Sequence, residues 1–397
     1  MKILCLFFSV FVTLSASVSA DWRQFRGTDS TGVVAADPKL PVALSEENIA
    51  WKKPLPGRGV SSPIVVGERV FVTCSSGPNQ DRLHVLCFSN ADGALMWERQ
   101  FWATGRTMAH EKTCVAAPTP ASDGERVFAL FSSNDLICVD LDGNLQWLRG
   151  LTQDYPNASN SLGLASSPVV VGDTLVVQIE NDSQSFAAGV DTSTGLNRWR
   201  EDRTKRANWS SPIVFGDRVV MQGSKGIDVI SPADGGILWH FGEGASTIPS
   251  PASAGEVLYI PSNGITAVAY DTSNKSVKQK WTEGSLRPAT ASPVVAGGRV
   301  YVINSASFLN CAEAEDGEKL WKIRLDGPFG ATPVVAGEHL YAISERAGLL
   351  QVVDLGGEEG ELVGELELGE MIQATPAIAN SAIFVRSDGH LWKISRP

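Results

Sequence analysis

Ser61-Ser62-Pro63-Ile64-Val65-Val66-Gly67-Glu68-Arg69-Val70-Phe71-Val72 is the stretch that decides the fold, because the chain repeats it. A proline opens an apolar run, a glycine follows four residues later, and a valine-rich segment comes next. The prolines of the series are Pro63, Pro120, Pro168, Pro212, Pro251, Pro293, Pro333 and Pro376. Glycine follows at 67, 124, 172, 216, 255, 297 and 337, and Asn380 takes the eighth place. Asparagine tolerates turn dihedrals almost as well as glycine. A period of roughly 40–45 residues indicates a propeller or a solenoid.

A second column runs in step with the first. Trp51, Trp97, Trp147, Trp199, Trp239, Trp281 and Trp321 each end a unit, and the remaining place, near Gly364, has no tryptophan. Turns such as Asp92-Gly93, Asp142-Gly143 and Asp316-Gly317 precede several of them, a strong short-range hairpin signal. Each unit therefore reads as four short strands. Proline stands at the start of the first, where a missing amide is tolerated. A four-stranded sheet cannot bury both faces alone, but radial stacking does so.

The ends of the chain favour a closed ring. The last unit, from Pro376, supplies only three strands, and Asn48-Ile49-Ala50-Trp51-Lys52 is an orphan tryptophan strand. Joining them completes an eighth blade. The expectation is an all-β, eight-bladed β-propeller of four-stranded antiparallel blades over residues 48–397, closed by the N-terminal strand and monomeric.

Residues 1–20 read as a signal peptide. Lys2 is followed by an apolar run from Ile3 to Leu14, and Val18-Ser19-Ala20 suits cleavage after Ala20. The expected location is periplasmic or secreted, with no transmembrane segment, since the run is shorter than the roughly 20 residues a span needs. Residues 21–47 form an N-terminal arm. There Trp22 and Phe25 beside Arg26 suggest an aromatic pair and a stacked cation that pin the arm across the ring. The formal net charge of −11 disfavours a nucleic-acid binder. Cys74, Cys87, Cys114, Cys138 and Cys311 remain after cleavage. An odd set cannot all pair, and Cys74 and Cys87 are about four positions out of step on their hairpin, so buried free thiols are expected.

The repeat resembles the pyrroloquinoline-quinone-like (PQQ-like) propeller repeat, as in Asp316-Gly317-Glu318-Lys319-Leu320-Trp321. Asp21-Trp22-Arg23-Gln24-Phe25-Arg26-Gly27, Leu55-Pro56-Gly57-Arg58-Gly59 and His110-Glu111-Lys112 make it similar to the BamB-like exported proteins of that family. The resemblance implies a non-enzymatic protein-binding scaffold with an envelope protein as partner, in outer-membrane protein assembly or another cell-envelope role. The family name also raises a quinone cofactor. Quinoprotein dehydrogenases clamp it with adjacent cysteines and a calcium ion, and this chain has no Cys-Cys pair. Bound PQQ and calcium are therefore disfavoured. No catalytic or metal-ligating residue is assigned, since Gly-x-Ser-x-Gly, HExxH and Walker motifs are all missing. The acidic run Glu358 to Glu370 reads as a solvated turn and outer strand.

Two long connectors carry the candidate site. The spacings of 57 and 48 residues place insertions after Trp97 and Trp147. In a propeller, such links lie on one face around the central funnel. Arg58, Arg106, His110, Lys112, Tyr155 and Asn160 are the expected ligand- or partner-binding residues of that mouth. The alternative reading is a quinoprotein-type dehydrogenase, or a glycan or small-molecule binding module, using the same mouth.

Overall fold

The computed structural model describes residues 21–158, 162–242, 244–271 and 273–397. The expected signal peptide and Asn160 lie outside them. Eight sheets stand around a central channel. The first seven blades follow chain order, with inner strands Ile64–Val66, Ala121–Ser122, Val169–Val171, Ile213–Phe215, Ala252–Ala254, Val294–Ala296 and Val334–Ala336. The eighth combines Ala377–Ala379, Ala382–Arg386 and His390–Ser395 with Ile49–Pro54, which pairs antiparallel to His390–Ser395 as the outer strand. Two faces result. The link face carries the connections from each outer strand to the next inner strand. The turn face carries the glycine turns of the repeat.

A belt of hydrogen bonds joins the blades next to the channel. The residue before each of the first seven repeat prolines donates its backbone N–H to the hydroxyl of its counterpart in the next blade. The series runs Ser62 to Thr119, Ser167, Ser211, Ser250, Ser292, Thr332 and Thr375, at 2.9–3.1 Å. Every one of these side chains is buried. The serine or threonine of the Ser/Thr-Pro signature thus satisfies an amide that the inner strand cannot pair.

At the rim, the tryptophans join blade to blade. A β-bulge precedes each tryptophan position, for example between Leu145 and Trp147. A bulge bends its strand and re-aims a side chain. Trp97 Nε1 donates to Leu141 O at 2.9 Å, Trp147 Nε1 to Thr192 O at 3.0 Å, and Trp51 Nε1 to Asn90 O at 3.2 Å, each across to the next blade. The ring then lies on the glycine of that blade's turn. A Cβ on Gly93, Gly143 or Gly195 would stand 2.7 Å from Trp51, Trp97 or Trp147. These glycines are needed for their positive φ and for this close approach.

Blade seven explains the missing tryptophan. Gly364 holds the register position that Trp321 holds in blade six. The N-terminal arm passes there: a Cβ on Gly364 would meet Val42 O at 2.0 Å. The arm also adds a fifth strand, Val33–Val34, parallel to Val334–Ala336, an element the repeat pattern does not announce.

The arm enters from the turn face and bonds to six of the eight blades. Trp22 pairs with Val65, Arg23 O accepts from Ser122 N, and Gln24 Oε1 accepts from Val170 N. Arg26 Nη1 donates to Pro251 O at 2.6 Å and Nη2 to Pro293 O at 2.9 Å, and Gly32 O accepts from Val335 N. Trp22 and Arg26 are buried and Phe25 is half-buried. Arg26 holds carbonyls, not a stacked ring as its neighbours suggested. Burial pushes its pKa down to about 10, which leaves it charged at neutral pH.

All five described cysteines are buried free thiols. Cys74 faces His84 and Cys87 faces Phe71, an offset of three positions where four were expected. The outer strand Glu361–Glu367 carries much of the acidic run. Glu370 leaves that pattern: its carboxylate accepts from Lys52 Nζ at 2.9 Å and from Ser387 Oγ at 2.5 Å, and sits 2.7 Å from His390 Nδ1.

Candidate functional site

The first insertion is anchored by a buried carboxylate. Asp135 accepts from Thr104 Oγ1 at 2.6 Å, from Thr104 N at 3.0 Å and from Ser133 Oγ at 2.6 Å. Further along, Val115 N donates to Gln80 Oε1 and Ser132 N to Val115 O. Between these ties the segment bulges outward, exposing Arg106, Met108, His110, Glu111 and Lys112.

Three loops converge there. Arg58 Nε lies 3.0 Å from Asp388 Oδ2, and its Nη2 donates to Glu111 O at 3.3 Å. His110 N donates to Leu162 O at 3.0 Å, and Lys112 N to His110 Nδ1 at 3.1 Å. The structure therefore gathers Arg58, His110 and Lys112 with the second insertion. Arg106 Nη2 lies 3.4 Å from Met108 Sδ on the same bulge. Beside it, Trp102 is 64% exposed with Arg82 over its ring at 4.3 Å, while Met108 is 50% and Leu162 43% exposed.

Tyr155 belongs to blade packing. Its ring lies 4.4 Å from Phe186, Arg200 sits over it, and its hydroxyl accepts from Asn197 Nδ2 at 2.7 Å. The nearby Asn157 borders a polar groove of about 530 Å³ with Gln184, Ser185, Asp202, Arg203 and Lys205. Arg203 is held from behind by Glu180 at 2.7 Å and by Asp228, which in turn binds His240. Burial opposes its charge, yet the two carboxylates keep its pKa above the usual arginine value.

Sequence reasoning did not single out Arg203 or Arg386. Arg386 is fully buried, donating to Thr73 O at 2.8 Å and Ser61 Oγ at 3.1 Å. A Cβ on Gly59 would meet its guanidinium at 2.0 Å. The available signal was an arginine at the end of a second strand where blades six and seven carry Ile303 and Ile343. Burial pushes the neighbouring Cys74 thiol up, with Arg386 opposing it.

A quinone clamp finds no matching residues. The cysteines stand singly on separate strands or loops, and Arg26 reaches across the channel to two inner strands. Among the described residues no cluster of carboxylate, histidine or cysteine groups could hold a metal ion.

The comparisons with known proteins fit this architecture. A family model described as outer membrane protein assembly factor BamB matches residues 16–227, 224–310 and 275–360. The outer membrane protein assembly factor BamB of Alkalilimnicola ehrlichii is 26% identical over 51% of this chain and 49% of its own length. The chain spans about half the length of the curated relatives it matches. The crystal structure of BamB from Moraxella catarrhalis superposes with a TM-score of 0.62 at 14% identity, covering 87% of this chain and 96% of that one. A europium-containing methanol dehydrogenase superposes with a TM-score of 0.71 at 12% identity, over 95% of this chain and 98% of that one. At such identities the structural likeness shows the fold alone.

Proposed function

The chain belongs to the PQQ-like propeller family of the outer membrane protein assembly factor BamB, and from that membership we propose an exported scaffold that binds an envelope protein. The ring is the display device, and the link face around the first insertion is the docking surface. The observation that carries this reading is the exposure of Trp102, Met108 and Leu162 on and next to the first insertion, with Arg82 over the Trp102 ring, Arg106 beside Met108, and His110, two residues before Lys112, bonded to Leu162. Aromatic, methionine and arginine side chains are the types enriched at protein interfaces. Among the described residues no helix is long and apolar enough to cross a membrane. A periplasmic or secreted location and a monomeric ring are parts of the same proposal, as is the lack of a bound quinone or calcium ion.

The test is capture from an envelope extract by the purified protein, with Trp102→Ala and Met108→Ala as the pair of variants. Both side chains are exposed, so the fold is expected to stay intact while recovery of an outer-membrane protein falls about tenfold or more, as for a hot-spot loss of at least 1.4 kcal/mol. Equal recovery by wild type and double variant would refute the docking surface. The polar groove bordered by Asn157 and Arg203 favours a second reading, a hydroxyl-rich small ligand. Elution of the captured material by a glycan would select it.

A further inference from the structure

We propose that Ser76, His84 and Glu98 form a serine-nucleophile site in the first blade, acting on a small carboxylic ester with an apolar acyl group. Ser76 Oγ lies 2.7 Å from His84 Nε2, and His84 Nδ1 lies 2.6 Å from Glu98 Oε1. The three come from the ends or middles of three successive strands, Arg69–Ser76, Arg82–Ser89 and Leu95–Trp102. A carboxylate on Nδ1 fixes the tautomer that carries its proton there, leaving Nε2 free to accept from the serine. Such a constellation is recognised by geometry and roles, not by position in a sequence.

The surroundings support chemistry. His84 is 3% exposed, which shields the relay from water, and Ser76 is only half-buried. Gln100 Nε2 donates to Glu98 Oε1 at 3.0 Å and holds the carboxylate in place. Above the serine, the connector from blade eight passes as a glycine: a Cβ on Gly57 would stand 3.0 Å from Ser76 Cβ. A cavity of about 380 Å³ opens beside Glu98, walled by Leu55, Pro56, Leu86, Phe88 and Leu95. That wall suits an apolar acyl chain.

In the reaction, Ser76 Oγ attacks the ester carbonyl carbon as its proton passes to His84 Nε2, and the carbonyl π pair moves to oxygen. The pair returns, the bond to the leaving alkoxide breaks, and the alkoxide takes the proton from Nε2. Water then attacks the acyl-serine, giving a proton to Nε2. The Oγ–acyl bond breaks, the proton returns to Ser76, and an acid and an alcohol leave. Ser76 and His84 are the catalytic residues, and Glu98 is a positioning residue.

The test uses the purified protein with a fluorophosphonate reagent, read by peptide mass, and with p-nitrophenyl butyrate. The expected result is one phosphonyl group on Ser76, lost in Ser76→Ala, with butyrate hydrolysis falling to background. Glu98→Gln should slow labelling about 10²-fold to 10⁴-fold with little change in thermal midpoint. Glu98→Asp, which keeps the carboxylate, should recover at least a tenth of the wild-type rate. No modification of Ser76 by excess reagent, or equal labelling rates in wild type and Glu98→Gln, would overturn the proposal. Ser76→Ala removes one oxygen atom, so its folding is a control for any variant that fails. Loss of partner capture would leave this result untouched, since the relay shares no residue with the docking surface.

Discussion

The latch between the last blade and the first is open to a paired substitution. Gly93 has φ +67, and an added Cβ would stand 2.7 Å from Trp51 Cδ2 and 2.7 Å from Lys53 Cε. Gly172 has φ +59 with nothing within 4 Å of the same added atom. Both alanine variants incur the left-handed backbone cost of about 1–2 kcal/mol. Gly93→Ala must also displace a ring that is 7% exposed, an overpacking cost of about 1–3 kcal/mol. The expectation is a loss of about 1–2 kcal/mol for Gly172→Ala and about 2–5 kcal/mol for Gly93→Ala. In a Trp51→Ala background the ring is gone and only the flexible Lys53 side chain must move aside, so Gly93→Ala should cost only about 1–2 kcal/mol. Urea denaturation followed by tryptophan fluorescence and circular dichroism measures the wild type, the three single variants and the Trp51→Ala/Gly93→Ala double variant. Equal losses at Gly93 and Gly172, or no change in the Gly93 effect without Trp51, would refute the idea that the tryptophan–glycine contact latches the ring.

Two further outcomes follow from titratable groups. Burial alone would raise the Glu370 carboxyl, but hydrogen bonds from Ser387 and Lys52 and the close His390 ring outweigh it and hold the pKa below the usual glutamate value. A depressed carboxyl stabilises the fold above its unfolded pKa and loses that effect as pH falls through the folded one. Glu370→Gln should thus be less stable than wild type at pH 7, by at most about 1 kcal/mol for a part-exposed group, and the gap should close below about pH 4 in thermal melts. Burial pushes Cys87, Cys138 and Cys311 up to about 12 and Cys114 up to about 11. Ellman's reagent at pH 8 should leave the native protein unreacted over minutes and titrate every thiol in guanidinium. Rapid reaction of one thiol in the native state would contradict its burial.

The propeller was legible because one physical problem recurs eight times. Each blade needs a strand start without an amide, a tight turn and a ring to cover its neighbour, and each need has its own residue type. Gly364 shows the limit of that legibility. Its missing tryptophan is visible in the sequence, but the reason, a segment from residue 42 crossing the same gap, is a contact between positions some 320 apart. The arm itself was marked by Trp22 and Arg26, yet the carbonyl partners of Arg26 on blades five and six carry no side-chain signature. At the link face, spacing found the insertions, and Arg58, His110 and Lys112 do meet. Tyr155 went elsewhere because an aromatic ring next to Phe186 gains more from burial than from the solvent-facing rim. Ser76, His84 and Glu98 could not be seen at all, since only strand register sets residues 8 and 14 positions apart within hydrogen-bond reach.

The arm has a consequence for the order of assembly. A ribosome makes residues 21–54 early, but two sets of their partners appear late. The carbonyls that hold Arg26 belong to residues 251 and 293, and the strand that Ile49–Pro54 pairs with ends at Ser395. Trp22 and Trp51 find partners on blade one, but Arg26 and the closing strand must wait until nearly every later residue has been synthesised. Blades one to six can form in passing, each against its predecessor, but their arc stays open at the seam. The final step is then a single long-range event that seats plug and closing strand together, so the finished ring should gain its resistance to unfolding all at once and not in eight increments.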